Sequence, residues 1–358
     1  MTQSPNGSRR EKLAEMGIWI VIPMYRVRKH ISDVINAVPD WVQGIVAIDD
    51  KCPESTGEFV RDNFSRPNLH VVFHEKNQGV GGAVLTGYQK CTELGARIIV
   101  KVDGDNQMDL RWLAPLALPI SEGIADYTKG NRFSSLSHVR RMPFIRVFGN
   151  SMLSFMSKVS SGYWTIFDPT NGYTAIHGAV AKELVTRKIA KRYFFESDVL
   201  YNLGSLRAVV RDIAMPAIYE DEESNLIIRR IVLPFLFYHA RNSVKRFVGQ
   251  YLVRSFSVAT LETLAGLALV IFGASVAIDH FANRAGPMDA ASPGMVMLSA
   301  LPIMLGVQFL LSALNFDVLN VPREPIHPQL ALLNHYLEMP PTASDETGET
   351  ETPHSRAV

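Results

Sequence analysis

Two long apolar segments near the C-terminus constrain the fold of this chain more than any other feature. They run from residue 256 to 278 and from 295 to 316, and Glu262 is their only charged side chain. Each segment is long enough to cross the roughly 30 Å hydrocarbon core of a bilayer as a helix. The sequence therefore predicts a transmembrane hairpin over 256–318, and a pair of buried core helices is the alternative.

The basic residues around the hairpin predict its orientation. The linker 279–294 contains one arginine and no lysine, whereas basic residues precede the first segment and follow the second. These flanking residues are Arg229, Arg230, Arg241, Lys245, Arg246, Arg254 and Arg323. Because positive charge is retained on the cytoplasmic side, we expect a multi-pass protein of the cell (inner) membrane with both termini in the cytoplasm.

Glu262 lies inside the first apolar segment, where an unpaired charge is costly. Its candidate partners are Arg254, Gln308 and Asn315. We expect a role in helix packing or in association between chains. The expected partners therefore include membrane lipid and a second copy of the chain.

Composition excludes several other classes of protein. A net charge of +1 gives no reason to expect nucleic acid as a partner. The two cysteines, Cys52 and Cys91, are too few for a disulfide framework and lack the close Cys or His neighbours of a zinc site. The polar residues 1–17 are expected to be flexible, and the tail is expected to be disordered from about residue 340.

The first 225 residues alternate short apolar runs with segments of helical spacing. The runs are rich in Ile and Val and are typical of strands: Ile18 to Pro23, Gly44 to Ile48, Leu69 to Phe73 and Ile98 to Val102. Residues 55–64 and 81–94 have the spacing of helices. This alternation predicts an α/β fold with a mostly parallel, Rossmann-like sheet. Residues 227–255 mix basic and apolar positions at helical spacing and predict interface helices on the membrane surface.

Polar or glycine-rich clusters follow three of the predicted strands, where open α/β sheets bind ligands. They are Asp49-Asp50, the segment 77–82, and Asp103-Gly104-Asp105. Since side chains alternate in extended structure, Asp103 and Asp105 point to one side and can hold Mg2+ or Mn2+ with positions open for phosphates. A polar surface turn is the alternative for this pair. The glycines fit either an anion at a helix start or a structural turn.

Four segments, in this order and spacing, resemble glycosyltransferase family 2, whose fold is called GT-A. They are Ile22-Pro23-Met24-Tyr25-Arg26, residues 49–56, residues 77–83, and Asp103 with Asp105 and Gln107. The resemblance covers roughly residues 18–318 and is to the dolichol- or polyprenyl-phosphate sugar transferases with a C-terminal hairpin. It implies inverting, metal-dependent transfer of one sugar from a UDP or GDP sugar to polyprenyl (undecaprenyl or dolichyl) phosphate at the cytoplasmic face.

The same resemblance implies roles for individual residues. Donor-binding residues would be Pro23, Tyr25, Asp49, Asp50, Asn77, Gly79, Gly81 and Asp103, and metal ligands would be Asp103, Asp105 and Gln107. In similar enzymes, residues matching Arg132, Arg146 and Asn150 contact the acceptor phosphate. Segment 168–173 matches the Asp-Pro-x-x-Gly-Phe loop of the family. Arginine suits the phosphate role because its planar fork of donors matches phosphate oxygens.

Glu196 and Asp198 occupy the place where sugar- or protein-directed relatives keep a catalytic base. A phosphate monoester has a second pKa of about 6 and needs little help from a base. With such an acceptor, the two carboxylates would order an arginine or contact the donor sugar. Two alternatives therefore stay open, transfer to a hydroxyl of a lipid-linked glycan and an inactive membrane scaffold.

The chain also departs from the family pattern. Arg26, Val27 and Arg28 replace the acidic residues of the family, and residues 51–53 replace its Gly-Ser. Both departures lie near the expected nucleobase pocket, so the sequence does not identify the nucleobase or the sugar of the donor. Segment 219–226 replaces a basic motif, for which Arg229 or Arg230 could substitute. The Gln-x-x-Arg-Trp signature of processive synthases is absent, which argues against chain elongation. The expected organisation is a GT-A domain over 18–226, interface helices, the hairpin, and a cytoplasmic tail over 319–358.

Overall fold

The structure is a computed structural model, and it describes residues 11–133, 144–216, 228–282 and 292–338. The side chains of 144–146, 228–231, 281 and 334–338 are not among the described parts. Predictions for segment 219–226 and for the tail beyond 340 therefore lie outside the described residues. Residues 11–15, within the segment expected to be flexible, form a helical turn.

Seven strands of the described chain form one mixed sheet in the order β3-β2-β1-β4-β6-β5-β7. The strands are β1 (Ile18–Met24), β2 (Gly44–Asp49), β3 (Leu69–Phe73), β4 (Ile98–Lys101), β5 (Tyr127–Asn131), β6 (Thr174–His177) and β7 (Val210–Ala214). Strand β6 pairs antiparallel with both β4 and β5, and the other pairs are parallel. The predicted mostly parallel α/β class is confirmed. The sequence prediction stopped at β4, so the last three strands are additions to it.

Helices separate the strands and cover both faces of the sheet. They are α1 (Ile31–Ala37), α2 (Thr56–Asn63), α3 (Val80–Glu93), α4 (Leu113–Ser121), α5 (Phe144–Ser161), α6 (Gly178–Val185) and α7 (Phe195–Leu206). Strand β1 is buried on both sides: Ile18, Ile20 and Ile22 join one apolar layer, and Trp19 and Val21 join the other. A sheet covered on both faces requires such continuous apolar runs, which explains why the strands were recognisable in the sequence.

Two C-terminal helices form an antiparallel hairpin. They are α9 (Val258–Ala282) and α10 (Pro293–Leu319), and only 11% and 6% of their apolar windows are buried. Such exposure does not fit the alternative of buried core helices, because a core helix would be covered by protein. Gly266 and Gly306 face each other so closely that a Cβ on either would lie within 3 Å of the other's carbonyl oxygen. Small residues at such crossings are typical of helix pairs in membranes.

Glu262 receives a hydrogen bond from Ser312 of α10, with an Oγ–Oε1 distance of 2.8 Å. The contact joins the two helices of the hairpin. The expected packing role of Glu262 is therefore realised through Ser312, a residue that was not among the predicted partners.

Helix α8 (Ile228–Arg246) and a π-helix (Phe247–Arg254) connect the sheet domain to the hairpin. Arg246 is buried and pairs with Asp317 near the end of α10, so it does not face a membrane surface as its sequence position suggested. Tyr251 also donates to Asp317, and Trp164 donates to it from Nε1 at 2.7 Å. One carboxylate therefore joins the sheet domain, the π-helix and the second apolar helix.

The chain returns to the sheet domain after the hairpin. Asp126 accepts hydrogen bonds from the backbone N–H groups of Ile326 and His327, and its Oδ1 lies 2.8 Å from His327 Nδ1. The last helix, α11 (His327–Glu338), begins at this anchor. Both ends of the hairpin are thus held by the same domain, which requires that they lie on the same side of any membrane that the hairpin spans.

Candidate active site

The predicted site residues meet at one edge of the sheet because parallel strands end there together. The carboxyl ends of β1, β2 and β4 carry Tyr25, Asp50 and Asp103, and the end of β5 carries Arg132. Strand β6 runs the other way, so the segment that precedes it, 168–173, lies at the same edge. Two cavities open there, and Asp103 and Asp105 belong to the lining of both.

The first cavity, of about 390 Å³, brings together most of the residues predicted to bind the donor. Its lining includes seven of the predicted donor and metal residues: Pro23, Tyr25, Asp50, Asn77, Gly79, Asp103 and Asp105. Gly79 begins α3 with a φ of 87°, and a Cβ there would lie 2.5 Å from the Lys191 carbonyl oxygen. Only glycine fits this position, because the left-handed backbone and the close carbonyl both exclude a side chain.

Asp50 fixes the glycine-rich loop of this cavity. Its carboxylate accepts hydrogen bonds from the N–H groups of Gln78 and Gly79, both at 2.8 Å. Its Oδ1 also lies 2.7 Å from His74 Nδ1, and His74 Nε2 contacts Thr86 on α3. Asp50 therefore fixes the shape of the first cavity by holding the loop that forms part of its wall.

Two predicted donor residues do not line this cavity. Asp49 accepts from the backbone N–H groups of Cys52 and Gly57, both at 2.7 Å, and so holds the β2–α2 connection. Gly81 packs against Phe195, where a Cβ would lie 2.4 Å from the ring. Both residues thus support the loops of the site instead of facing its interior.

Asp103 and Asp105 stand at the wall shared by the two cavities. Asp103 Oδ1 lies 2.9 Å from Lys101 Nζ, and Asp105 Oδ1 accepts from the N–H of Gln107 at 3.1 Å. Asn106, between them, has a φ of 65°, a conformation that asparagine tolerates better than most residues. The turn brings Asp103, Asp105 and Gln107 together in the lining of the second cavity.

These oxygen donors fit a hard divalent cation. In the described residues, no group of three or more His, Cys, Asp or Glu side chains is arranged around a single point as a metal site. Two carboxylates beside an open cavity are nevertheless sufficient for Mg2+ or Mn2+ when a phosphate ligand supplies further oxygens. The residues therefore fit a cation that binds together with a diphosphate.

The second cavity, of about 440 Å³, contains Arg132, one of the residues predicted to contact the acceptor phosphate. Arg132 lines it and is held by the buried carboxylate of Asp168, with an Nε–Oδ2 distance of 2.8 Å and an Nη2–Oδ1 distance of 3.2 Å. Glu196, in the first turn of α7, also lines it. The cavity thus has a cation on one side and the Asp103–Asp105 pair on another.

Lys101 is a buried cation beneath this cavity. Its Nζ contacts Asp103 and lies 3.8 Å from Glu196 Oε1, and its side chain is 3% exposed. Burial lowers the pKa of Lys101, but the carboxylates of Asp103 and Glu196 more than offset that effect, so its pKa lies above the usual value. Lys101 therefore stays charged and orients both carboxylates.

Lys129, in β5, is fully buried and donates to the carbonyl oxygen of Asn171. Asn171 in turn donates to the Gly130 carbonyl oxygen at 2.8 Å. These contacts join the strand that carries Arg132 to the loop that carries Asp168. Burial lowers the pKa of Lys129 to about 8, although Glu196 and Asp168 favour its charged form.

Of the described side chains, Asp198 and Asn150 are not brought into the lining of the second cavity. The Asp198 carboxylate is buried and accepts from the Ala190 N–H at 2.7 Å and from Asn242 Nδ2 at 2.8 Å. Its contacts join α7 to α8. Asn150 lies on α5, and Arg146 lies near the start of that helix with its side chain outside the described parts.

Several residues of the site were missed in the sequence. Lys101 and Lys129 interrupt apolar strand segments, and a charge at a buried strand position is itself a signal, because such residues are rarely buried without a partner. Tyr193 lines both cavities, but it lies in a connection with no periodic pattern. Only the fold brings it to the edge of the sheet.

Part of the chain is similar in sequence to known glycosyltransferases. Residues 19–185 match the sequence profile described as Glycosyl transferase family 2. The UDP-N-acetylglucosamine–dolichyl-phosphate N-acetylglucosaminyltransferase of Methanococcus voltae is 28% identical over 223 residues, which cover 58% of this chain and 88% of that protein. Polyprenol monophosphomannose synthase of Mycolicibacterium smegmatis is 25% identical over 187 residues, which cover 51% of this chain and 70% of that protein.

Among solved structures, glucosyl-3-phosphoglycerate synthase from Mycobacterium tuberculosis, in complex with Mn2+, uridine diphosphate and phosphoglyceric acid, is similar with a TM-score of 0.49. The identity is 16%, and the match covers 64% of this chain and 82% of that chain.

Proposed function

We propose that this chain, a glycosyltransferase with a family 2 domain, transfers one sugar from a nucleotide diphosphate donor to a polyprenyl phosphate at the membrane surface. One observation carries the proposal. The carboxylate pair Asp103 and Asp105 and the cation Arg132 line the same cavity, so a diphosphate leaving group and an acceptor phosphate can meet there. The names of the Methanococcus and Mycolicibacterium relatives support this class of acceptor.

The donor lies in the first cavity, with its nucleoside beside Tyr25 and Asn77 and its diphosphate beside Asp103 and Asp105. Asp50 keeps the loop 77–79 in place for this ligand. A Mg2+ or Mn2+ ion held by Asp103, Asp105 and Gln107 would neutralise the charge that grows on the departing diphosphate. The dolichyl-phosphate relative is named for a UDP sugar, which favours UDP over GDP as the donor nucleotide.

The acceptor phosphate binds in the second cavity, where Arg132 presents its guanidinium and Asp168 fixes its orientation. An oxygen of the phosphate attacks the anomeric carbon while the bond from that carbon to the diphosphate oxygen breaks. Attack from the opposite face inverts the configuration. Because the phosphate monoester is already largely anionic at neutral pH, no residue has to remove a proton.

The two apolar helices of the hairpin support a reaction at a bilayer. The hairpin is held by the sheet domain at both ends: Gln250 donates to the Gly204 carbonyl oxygen before it, and the backbone N–H of His327 donates to Asp126 after it. Basic residues on the domain side of the hairpin favour the cytoplasmic face. A lipid acceptor with its phosphate at that face would reach the cavity without leaving the membrane.

The test is transfer of radiolabelled sugar to polyprenyl phosphate by the detergent-purified full chain, with Mg2+ or Mn2+. Asp105→Asn should abolish transfer, and Arg132→Gln should raise the KM for the acceptor more than the KM for the donor. Lys90→Gln, on the exposed part of α3 outside the described cavities, is the matched control. Full transfer by Asp105→Asn would exclude the proposed donor site.

Transfer to a hydroxyl of a lipid-linked glycan is the second candidate, because Glu196 lines the cavity in the place of a base. A hydroxyl must lose its proton during transfer, whereas a phosphate anion need not. Glu196→Gln should therefore leave substantial transfer to a phosphate acceptor. Complete loss of activity in Glu196→Gln, with unchanged stability and donor binding, would favour the hydroxyl acceptor.

A further inference from the structure

A third cavity, outside the two that hold the proposed transfer site, lies between residues 188–194 and helix α8. We call it the basic groove. Its volume is about 670 Å³, and its lining combines Lys188, Lys191, Arg192 and Arg241 with Pro234, Phe235, Tyr238, Tyr193, Phe194 and others. Arg192 and Tyr193 also line the donor cavity, so the groove adjoins the transfer site without containing Asp103, Asp105 or Arg132.

The charge of the groove is strongly positive. Among the described residues, Asp198 is the only acidic residue in its lining, and its carboxylate is already committed to the Ala190 N–H and to Asn242. Arg241 lies over the ring of Tyr238, 5.1 Å from the centroid, and its Nη2 is 4.0 Å from Asp198. Since a guanidinium has five N–H donors, Arg241 keeps donors for an anionic ligand.

Helix α8 determines where the groove opens. His239, Asn242 and Arg246 are buried and face the sheet domain. The opposite face is apolar and exposed, with Leu233 at 71%, Phe237 at 64% and Val244 at 63%. Helical spacing puts Pro234, Tyr238 and Arg241 on the flank between these two faces. The groove therefore runs along the line where the exposed apolar face meets the domain.

An exposed apolar helix face that continues into an apolar hairpin belongs in the boundary region of a bilayer. A groove on the flank of that helix then lies at the depth of the lipid headgroups. Its four cations complement a negatively charged headgroup, and its aromatic wall suits the glycerol and upper acyl carbons below. Neither feature is explained by the transfer reaction.

We infer that the basic groove binds the headgroup of an anionic phospholipid of the bilayer, with the phosphate between Lys188 and Arg241 and the acyl chains along Pro234 and Phe235. The inference rests on the membrane attachment in the proposed function. The bound lipid lies beside the donor cavity and holds segment 188–194 against α8. The ligand differs from the acceptor, whose phosphate binds at Arg132.

Short-chain lipids test this site in the full chain purified in neutral detergent. Dihexanoyl phosphatidylglycerol should raise the melting temperature, because a ligand that binds the native state stabilises it, and dihexanoyl phosphatidylcholine should not. The variant Lys188→Gln/Arg241→Gln should bind phosphatidylglycerol on the order of thirtyfold more weakly, given about one fivefold factor per basic residue. Native mass spectrometry should count the bound lipid directly.

The variant Arg61→Gln/Lys90→Gln removes the same charge from exposed positions that line no described cavity, and it should respond like the wild type. Equal responses of the two double variants would overturn the inference, as would equal stabilisation by phosphatidylcholine. Equal stabilisation by inorganic phosphate would assign the groove to a soluble anion instead. Displacement of phosphatidylglycerol by equimolar farnesyl phosphate would assign it to the acceptor.

A transfer-deficient variant separates this inference from the proposed function. Asp105→Asn should lose transfer and keep the response to phosphatidylglycerol, since Asp105 does not line the groove. If the wild type bound phosphatidylglycerol but transferred no sugar to polyprenyl phosphate, the proposed function would fail and the lipid site would stand. If transfer occurred without any lipid response, only the lipid site would fail.

Discussion

The buried Lys101 and the half-buried Asp103 form an ion pair at the centre of the candidate active site, with 2.9 Å between Nζ and Oδ1. They lie two residues apart on one strand and its extension, so both side chains point to the same side of the sheet. Asp103 is thus already neutralised in part by the chain itself. Asp105, next along the motif, presents its carboxylate to both cavities.

Replacing Lys101 with methionine should destabilise the protein and increase its response to divalent cations. The change leaves the carboxylates of Asp103 and Glu196 without their buried cation, which costs about 3 kcal/mol. A bound cation then supplies the missing positive charge. We expect added Mn2+ to raise the melting temperature of Lys101→Met by several degrees more than that of the wild type, and an equal response would contradict this role of Lys101.

Replacing Lys129 with methionine should stabilise the protein near pH 7 while it reduces transfer. Burial lowers the pKa of Lys129 to about 8 from an unfolded value of about 10.4. At about 1.4 kcal/mol per pH unit, this shift means that the buried charge lowers the free energy of unfolding by about 3 kcal/mol. The loss is fully present below pH 8 and disappears as the pH rises toward 10.4. Transfer should fall because the contact to Asn171 is lost.

The measurement is the free energy of unfolding of wild type and Lys129→Met at pH 7 and at pH 9.5, together with transfer rates. The stability advantage of the variant should shrink at the higher pH. Lys129→Arg keeps a charge but not the length of the side chain, and it should be less stable than the wild type at both pH values. A stability difference that does not change with pH would show that the pKa of Lys129 is not lowered in the folded protein.

We expect Glu196 and Asp198 to have different roles. Glu196 lines the second cavity, whereas Asp198 stabilises the packing of α7 against α8. Asp198→Asn places an amide nitrogen against either the Ala190 N–H or the Asn242 amide, so we expect a loss of stability of about 1–3 kcal/mol. Glu196→Gln makes no such conflict and should change the melting temperature little. Thermal unfolding of both variants, with transfer measured at a temperature where both are folded, checks this assignment.

Strands β1, β2 and β4 could be predicted because buried strands of a sheet covered on both faces have continuous apolar sequences. The partly buried edge strand β3 could be predicted from its own run of apolar residues, and the carboxylate motif could be predicted because it follows β4 directly. Strands β5, β6 and β7 carry Lys129, Thr174 and Asp212, polar residues that break such runs. Their pairing depends on partners far along the chain, and no local pattern gives the antiparallel direction of β6. The position of Arg132 beside Asp168 depends on that pairing.

The two carboxylates of segment 196–198 show a second limit of the sequence. They are two residues apart, which in a strand would put both on one side, but they lie in the first turn of α7 and diverge. One faces the cavity beside Lys101, and the other is buried against α8. The packing of α7 against α8 decides which carboxylate faces the cavity and which is buried. The sequence of α8 does not indicate how it aligns with α7.

Asp317 should couple the membrane hairpin to the catalytic domain. Its carboxylate pairs with Arg246, accepts from Tyr251 and accepts from Trp164 at 2.7 Å, and its side chain is 13% exposed. Asp317→Asn leaves Arg246 buried without a counter-charge, at a cost of about 3–5 kcal/mol.

If the hairpin positions the domain over the bilayer, this variant should raise the KM for a long-chain polyprenyl phosphate in bilayers severalfold. The KM for a short, detergent-soluble phosphate acceptor should stay unchanged. Equal effects on both acceptors would mean that Asp317 acts only on folding, and Asp279→Asn, at the far end of α9, is the matched control because it removes the same charge away from the domain.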